Sequence, residues 1–321
     1  MGSGLDGQVA HPARDGRLRA PAVYDPDVTA IQILAPLALA LVAAAYFRRC
    51  ASLAAKGRPV PVWRQVSFGA SVIVLVGADM PPLATVAEEL IVAHMAKHLL
   101  VSDLAALLFC LGLTGPVMQP VLALRWLGWL RVFGNPLVAF PLWVLNIYLW
   151  HLGALYEGVL VSPALHMAQH AAFFGLGLAM WMPLAGPLPT PAWFGDAAKL
   201  AYVVAVRLSG AVLANVFIWS GQVLYPDYAP GQAEWGLTPL ADQGAAGNLM
   251  MLETGAVTIG LFAWLFFRAA NRGAEKQALL DLADRQGIAL DEARAARAVA
   301  AGQGEALRRR ILGSGEAHPG I

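Results

Sequence analysis

The sequence predicts an all-α polytopic membrane protein, a bundle of seven transmembrane helices with its N-terminus outside and its C-terminus in the cytoplasm. Three observations carry this expectation. Hydrophobic residues make up 58% of the chain and charged residues only 13%, where soluble domains carry roughly a quarter charged. Apolar runs long enough for a hydrocarbon core of about 30 Å recur along the chain. Basic residues, finally, fall overwhelmingly on one set of loops. Ten tryptophans suit two membrane interfaces, and a net charge of +1 offers nothing to nucleic acid.

The elements follow in order. Residues 1–30 are polar and carry Pro12, Pro21 and Pro26. No apolar core precedes the first long run, so they read as an irregular N-terminal tail and not as a signal peptide. A seven-helix membrane domain then occupies 31–270, with spans at 31–47, 66–80, 94–113, 136–152, 166–185, 200–222 and 246–268. The second run stops at Pro81-Pro82. That leaves 84–93, with Glu88 and Glu89, as an interfacial helix. Residues 271–321 read as a cytoplasmic helical tail. Leu279, Leu280, Leu282, Ile288 and Leu290, then Ala293 to Val299, suggest two short helices around Gly287. Cys50 and Cys110 form no C-x-x-C pair, which predicts buried or inert thiols and neither a disulfide framework nor a thiolate site.

Charge sets the orientation. Arg48, Arg49, Lys56, Arg58 and Arg64 follow span 1, Arg125 and Arg131 follow span 3, Lys199 opens span 6 with Arg207 beyond it, and nine more lie from Arg268 onward. Residues 153–165 and 223–245 contain no Lys or Arg. Eighteen of the twenty-two basic residues thus fall on one side, which becomes the cytoplasmic one.

Chemistry concentrates in two near-copies of one motif, His94-Met95-Ala96-Lys97-His98 and His166-Met167-Ala168-Gln169-His170. On a helix, i and i+4 differ by about 40° and one turn, so each pair of imidazoles projects from one face. The topology places His94 and His98 at the outer start of span 3 and His166 and His170 at the outer start of span 5. His151 ends span 4 on the same side. Five histidines on three helices therefore gather near one interface, where an ionisable group is costly unless it has a job. His11 and His318 lie in the tails and are set aside. Imidazole with thioether suits a soft ion such as Cu(I), so Met95, Met167 and Met250 join the candidate ligands. Asp79, Asp242 and Gln243 fall on the same face as candidate outer partners of the imidazoles, with Met80, Glu157 and Met251 nearby. Gly244 and Gly247 would permit close helix approach. Lys97 need not face the metal and can extend outward. Asp103 is expected to pack against another span, and Arg207, Asn215 and Asn146 to form a structural polar contact.

With these residues in view, the chain resembles the multi-spanning CtaG family of cytochrome c oxidase assembly factors over roughly residues 75–268. The resemblance rests on His94-Met95-x-x-His98-Leu99-Leu100, on Trp150-His151 with Tyr156, on His166-x-x-x-His170 followed by Trp181, and on Asp242-Gln243 with Ala246-Gly247 and Met250. Gly153 stands where a proline is expected after Trp150-His151, and Met251 where an aromatic is expected after Met250. The resemblance implies maturation of a haem–copper oxidase, with oxidase subunits as partners and the bacterial cytoplasmic membrane as location.

The expectation is therefore a non-enzymatic factor that binds copper, as Cu(I), at an outer-leaflet His/Met site and hands it to the oxidase. Its surroundings are membrane lipid, and self-association as a homo-oligomer is left open. Three competitors are weighed against it. An intramembrane zinc hydrolase would need three His and an Asp such as Asp79 or Asp242. A bis-His haem carrier would need axial ligands on facing helices. Copper permeation would need a ligand ladder across the membrane, and none is visible in the sequence.

Overall fold

A computed structural model describes residues 26–316, and every regular element among them is helical. The expected tail 1–30 and the histidines His11 and His318 fall largely outside these residues. Where described, 26–30 are already helical, which corrects that boundary. The chain divides into two units, residues 1–45 and 46–321. The first contributes the start of helix α1 (Pro26–Ala55); the elements from α2 onward belong to the second.

Helix starts explain much of the layout. Asn135-Pro136, Ser162-Pro163 and Thr238-Pro239 each place a capping side chain before a proline at the first helical turn. The Asn135, Ser162 and Thr238 side chains accept from Leu137 N, Leu165 N and Ala241 N. Proline there forfeits only an amide that has no helical partner anyway. These caps open α6 (Pro136–Trp150), α8 (Pro163–Ala185) and α11 (Pro239–Arg285). The other main elements are α2 (Val62–Ala78), α3 (Leu83–Glu89), α4 (Ile91–Gly112), α5 (Gly115–Ala123), α7 (Gly153–Val161), α9 (Asp196–Trp219) and α10 (Ala229–Glu234). The expected stop before Pro81-Pro82 is present, and the expected helix at 84–93 is α3, separated from α4 by one extended residue, Leu90.

Four helical stretches are long and apolar enough to cross a membrane: Pro36–Ala55, Ile91–Gly112, α9 and α11. Two bent pairs bring the number to six, α2 with α3 at 48° and the 3-10 segment Arg125–Gly134 with α6 at 87°. Four to six candidate spans among the described residues thus stand against the seven expected. The expected run at 166–185 that does not qualify is α8, 23 residues long, whose His166, Gln169 and His170 dilute its apolar character. The last helix also differs from expectation. At 47 residues, or about 70 Å, α11 runs unbroken past residue 268 to Arg285. The first tail helix is therefore a continuation of the last span. Beyond Gly287, α12 (Glu292–Ala300) and α13 (Gly304–Glu316) fold back on it around Leu279, Ala283, Val299, Leu307 and Ile311.

Helices α4, α8, α6, α9 and α11 pack in a closed ring, with α2 outside against α4. Two glycines allow close approaches within the ring. A Cβ on Gly177 would collide with Ser102 O, and one on Gly247 would stand 2.8 Å from Ala214 O. Gly244, paired with Gly247 in the sequence reading, meets nothing and plays no such part. Near Ser102, α4 widens into a π-helical stretch, Leu100–Ala105, a distortion that often marks functional places.

That stretch carries Asp103, which does reach another span. Arg207 of α9 grips it bidentately at 2.6 and 3.0 Å and also reaches Glu253 of α11 at 3.2 Å. Trp181 lies beneath the guanidinium at 5.1 Å. Asn146 and Asn215 are not part of this network. Asn215 bonds Ala211 O and Trp219 Nε1, and Asn146 Nδ2 has no partner. The cysteines Cys50 and Cys110 are free and buried, as expected. Removing one member of a buried ion pair strands the other charge. Arg207→Met should therefore lower stability by about 3–5 kcal/mol, read as a fall in the unfolding midpoint of the detergent-solubilised protein.

Candidate metal centre

The amino end of α4 has no side-chain cap of its own. Its first amides, Ile91 N and Val92 N, instead donate to the carboxylate of Asp242 at 2.7 and 3.1 Å, from 151 and 150 residues away. Gln232 Nε2 adds a third bond at 2.8 Å. Asp242 thus anchors the helix that carries His94 and His98. It does not stand behind an imidazole, which corrects its assignment as an outer partner of a ligand. Gln243 is reassigned for the same reason. Its amide nitrogen donates to Phe217 O, Ser220 Oγ and Gln222 O, and its carbonyl accepts from Leu224 N. Gln243 ties the end of α9 to the following loop.

Held this way, the four motif histidines meet. His94 Nε2 lies 2.7 Å from His98 Nε2, and His166 Nε2 lies 3.0 Å from His170 Nε2. His98 and His170 bring the two pairs side by side, with ring centroids 5.9 Å apart. Phe173 stacks on His98 at 4.3 Å and meets His151 edge-on at 6.2 Å. His151 caps the end of α6 and faces Met95 Sδ through Nε2 at 3.5 Å. All five histidines, from three helices, therefore share one end of the ring.

The groups behind the rings are partly those expected and partly new. Asp79 Oδ1 is 3.5 Å from His170 Nδ1 and 2.8 Å from Lys97 Nζ. Lys97 does not extend outward as the sequence suggested. Its side chain is 8% exposed, whereas Asp79 is 58% exposed. A buried ammonium therefore stands beside the imidazoles, with a half-solvated carboxylate as its partner. The tyrosines were missed as site residues. Tyr228 OH sits 3.1 Å from His94 Nδ1 and 3.2 Å from Tyr156 OH, while Tyr225 donates to His151 O at 2.8 Å and stacks on Tyr156. Burial pushes the Tyr228 phenol well above its ordinary value, so it stays protonated and can donate to His94 Nδ1. The signal available was three tyrosines close to Trp150-His151 and in a loop free of basic residues. Their meeting depends on the chain folding back between α9 and α11.

The methionines divide. Met95 is buried against His151, and Met250 is buried on α11. Met167, one residue from His166, stands about 100° around the helix and is 43% exposed. It is not brought to the imidazoles. Met80 is likewise exposed, and the Glu157 side chain lies outside the described residues.

Among the described residues, no three His, Cys, Asp or Glu side chains are arranged to hold one ion. The reason is local, because each motif pair closes on itself at hydrogen-bond distance. An ion about 2.0–2.1 Å from two nitrogens at a tetrahedral angle needs them roughly 3.3 Å apart. A few tenths of an ångström of ring movement supplies that, so the donor set fits a metal. It fits haem poorly, since each Nε2 pair lies along a single helix and leaves no slot between facing axial ligands.

These helices and this histidine-lined end define a polytopic membrane protein with a candidate metal centre at one end of its bundle. The family model for the cytochrome c oxidase caa3 assembly factor, Caa3_CtaG, matches residues 44–272. The chain belongs to that family of assembly factors. The match extends the resemblance at both ends. Nothing among the curated proteins or the solved structures matches.

Asp242→Ala should remove bonds worth about 1.5–3 kcal/mol where the acceptor is charged. The expected local sign is faster hydrogen exchange at the Ile91 and Val92 amides, with α9 unaffected.

Proposed function

We propose that this assembly factor binds copper as Cu(I) at the outer end of its helix ring and delivers it to a haem–copper oxidase subunit in the bacterial cytoplasmic membrane. The observation that carries the reading is the meeting of two i, i+4 histidine pairs from α4 and α8, with His151 and Met95 beside them. Neutral imidazoles and thioethers are soft or borderline donors, and they favour Cu(I) over hard ions. Copper here is cargo, so the site must release it as well as hold it. Pairs that sit partly closed suit release, because their nitrogens return to each other as the ion leaves. Asp79 and Lys97 line the approach from solvent, and the tyrosines cover the His94 side.

The orientation belongs to the same proposal. Loops 153–165 and 223–245, free of Lys and Arg, lie outside, while α12 and α13 lie in the cytoplasm, with seven spans in all. That places the histidines where a periplasm-facing oxidase domain can reach them.

Replacing His94 and His98 together with alanine should lower the copper retained by the purified protein and lower oxidase activity in cells. A double variant that retained as much copper as the wild type and supported full oxidase activity would sink the assignment. Topology has its own check. In a Cys50→Ala, Cys110→Ala background, a cysteine at Ser162 should react with an impermeant thiol reagent in spheroplasts, and one at Gln303 only after lysis.

A further inference from the structure

Below the histidine pairs the helices of the ring line a cavity of about 60 Å³, enough for a few water-sized occupants. Met95, His98, His151 and Met250 line its upper part and Asp103, Arg207, Glu253 and Thr254 its floor. Two features of this chamber suit a cation.

The first is a missing hydrogen. His151 Nδ1 faces Ile147 O, and a carbonyl can only accept, so the proton of the neutral ring sits on Nδ1. Nε2 is then a bare lone pair. It faces Met95 Sδ at 3.5 Å, and a thioether has no proton to give. Two electron-pair donors therefore confront each other across a gap that a cation would fill. An ion about 2.0 Å from such a nitrogen and about 2.3 Å from such a sulfur would join them at roughly 110°, close to tetrahedral.

The second is a place for one positive charge. Asp103 and Glu253 share the single guanidinium of Arg207, so two carboxyl groups face one cation. Inside a membrane the second carboxyl is either protonated or partnered, and a monovalent cation entering the chamber would take the place of that proton, whereas a divalent one would overshoot.

We propose that this chamber is a second, inner Cu(I) site, distinct from the outer histidine pairs. His151 Nε2, Met95 Sδ and Met250 Sδ are its donors, and Glu253 is its counter-charge. Glu253 acts through the field and is not a ligand; it is a positioning residue for the ion. The inference rests on the copper reading above and adds a second station with a different donor set. The outer pairs are all nitrogen, with His166 and His170 partly exposed. The inner donors are mostly sulfur, both thioethers being buried, which favours the soft, singly charged ion over zinc or Cu(II).

The test is anaerobic titration of the full-length protein with Cu(I) against a chromogenic chelator, together with X-ray absorption at the copper edge. Two equivalents should bind, and the loaded protein should show copper–sulfur scattering. Met95→Leu with Met250→Leu, a nearly volume-conserving pair, should lose one equivalent and the sulfur signal. His166→Ala with His170→Ala should lose the other equivalent and keep the sulfur signal. Glu253→Gln should weaken the inner equivalent roughly ten- to hundredfold, as expected for one charge removed several ångströms away at an effective dielectric near 20. A wild-type protein that bound copper through nitrogen alone would overturn the inner site and leave the outer one standing. A protein that bound no copper would overturn both. An unchanged affinity in Glu253→Gln would remove the counter-charge from the proposal. The sulfur signal is read on the wild-type protein, so poor folding of a variant does not shield the idea.

Discussion

A carboxylate on the last long helix holds the amino end of the helix that carries the first histidine motif, and the remainder of the site follows from that bond. Buried backbone amides must find acceptors, most strictly where water is scarce. Leu90 breaks the helical path between α3 and α4, which exposes the first amides of α4 without a local cap. Asp242 fills the deficit from α11. The fold thus gains a long-range constraint at the level of the histidines. It fixes α4 against α11, and through Gln232 it draws in the loop that brings Tyr228 to His94. A neutral side chain would satisfy fewer of these donors, and a helix begun by its own serine cap would not need α11 at all.

Much of this was legible in the sequence, for reasons that differ from residue to residue. The apolar runs, the break before Pro81-Pro82 and the i, i+4 facing of each histidine pair are local properties, and local geometry dictates them. That Asp103 would pair with another span also followed, because a charge in a membrane helix must find a partner. Identifying the partner as Arg207 did not follow, since it needs the crossing of α4 with α9. Asp242 shows the limit most clearly. It was rightly placed near the histidines, but proximity in a membrane bundle does not tell a metal's outer partner from a helix cap. Lys97 was misjudged because a surface lysine ordinarily extends to water. Here Asp79, at the end of α2, offers a nearer partner. The span count differed for a related reason: helices that bend, like α6 with its 3-10 lead-in, or that carry the motif itself, like α8, do not look like uniform apolar rods.

Charges inside the ring are arranged in layers. Lys97 and Asp79 stand beside the outer imidazoles, and Arg207 with Asp103 and Glu253 lies deeper. Between them the lining is sulfur, imidazole and aromatic ring. In the first layer one carboxylate pairs with one ammonium, whereas in the second two carboxyl groups share one guanidinium. The π-helical stretch of α4 belongs to this arrangement because it contains Ser102 and Asp103, at the level where Gly177 lets α8 come close. Straightening it would shift Asp103 around the helix and away from Arg207.

Each imidazole has two nitrogens, and what holds one decides what the other can do. His151 gives its Nδ1 proton to a carbonyl, which leaves Nε2 bare. His170 turns Nδ1 toward Asp79, a carboxylate half in solvent. His94 turns Nδ1 toward Tyr228, a phenol that burial keeps protonated and that can therefore donate. When it does, the His94 proton sits on Nε2, directed at His98. The His166/His170 pair is backed by a negative group that favours a free Nε2 on His170, and His166 Nε2 then supplies the proton between the two rings. Each pair thus holds one protonated and one bare Nε2, and in either pair both nitrogens could meet one ion only after a proton is given up or a tautomer changes. What separates the near-copies is what backs them: the half-exposed carboxylate of Asp79 behind one, the buried phenol of Tyr228 behind the other.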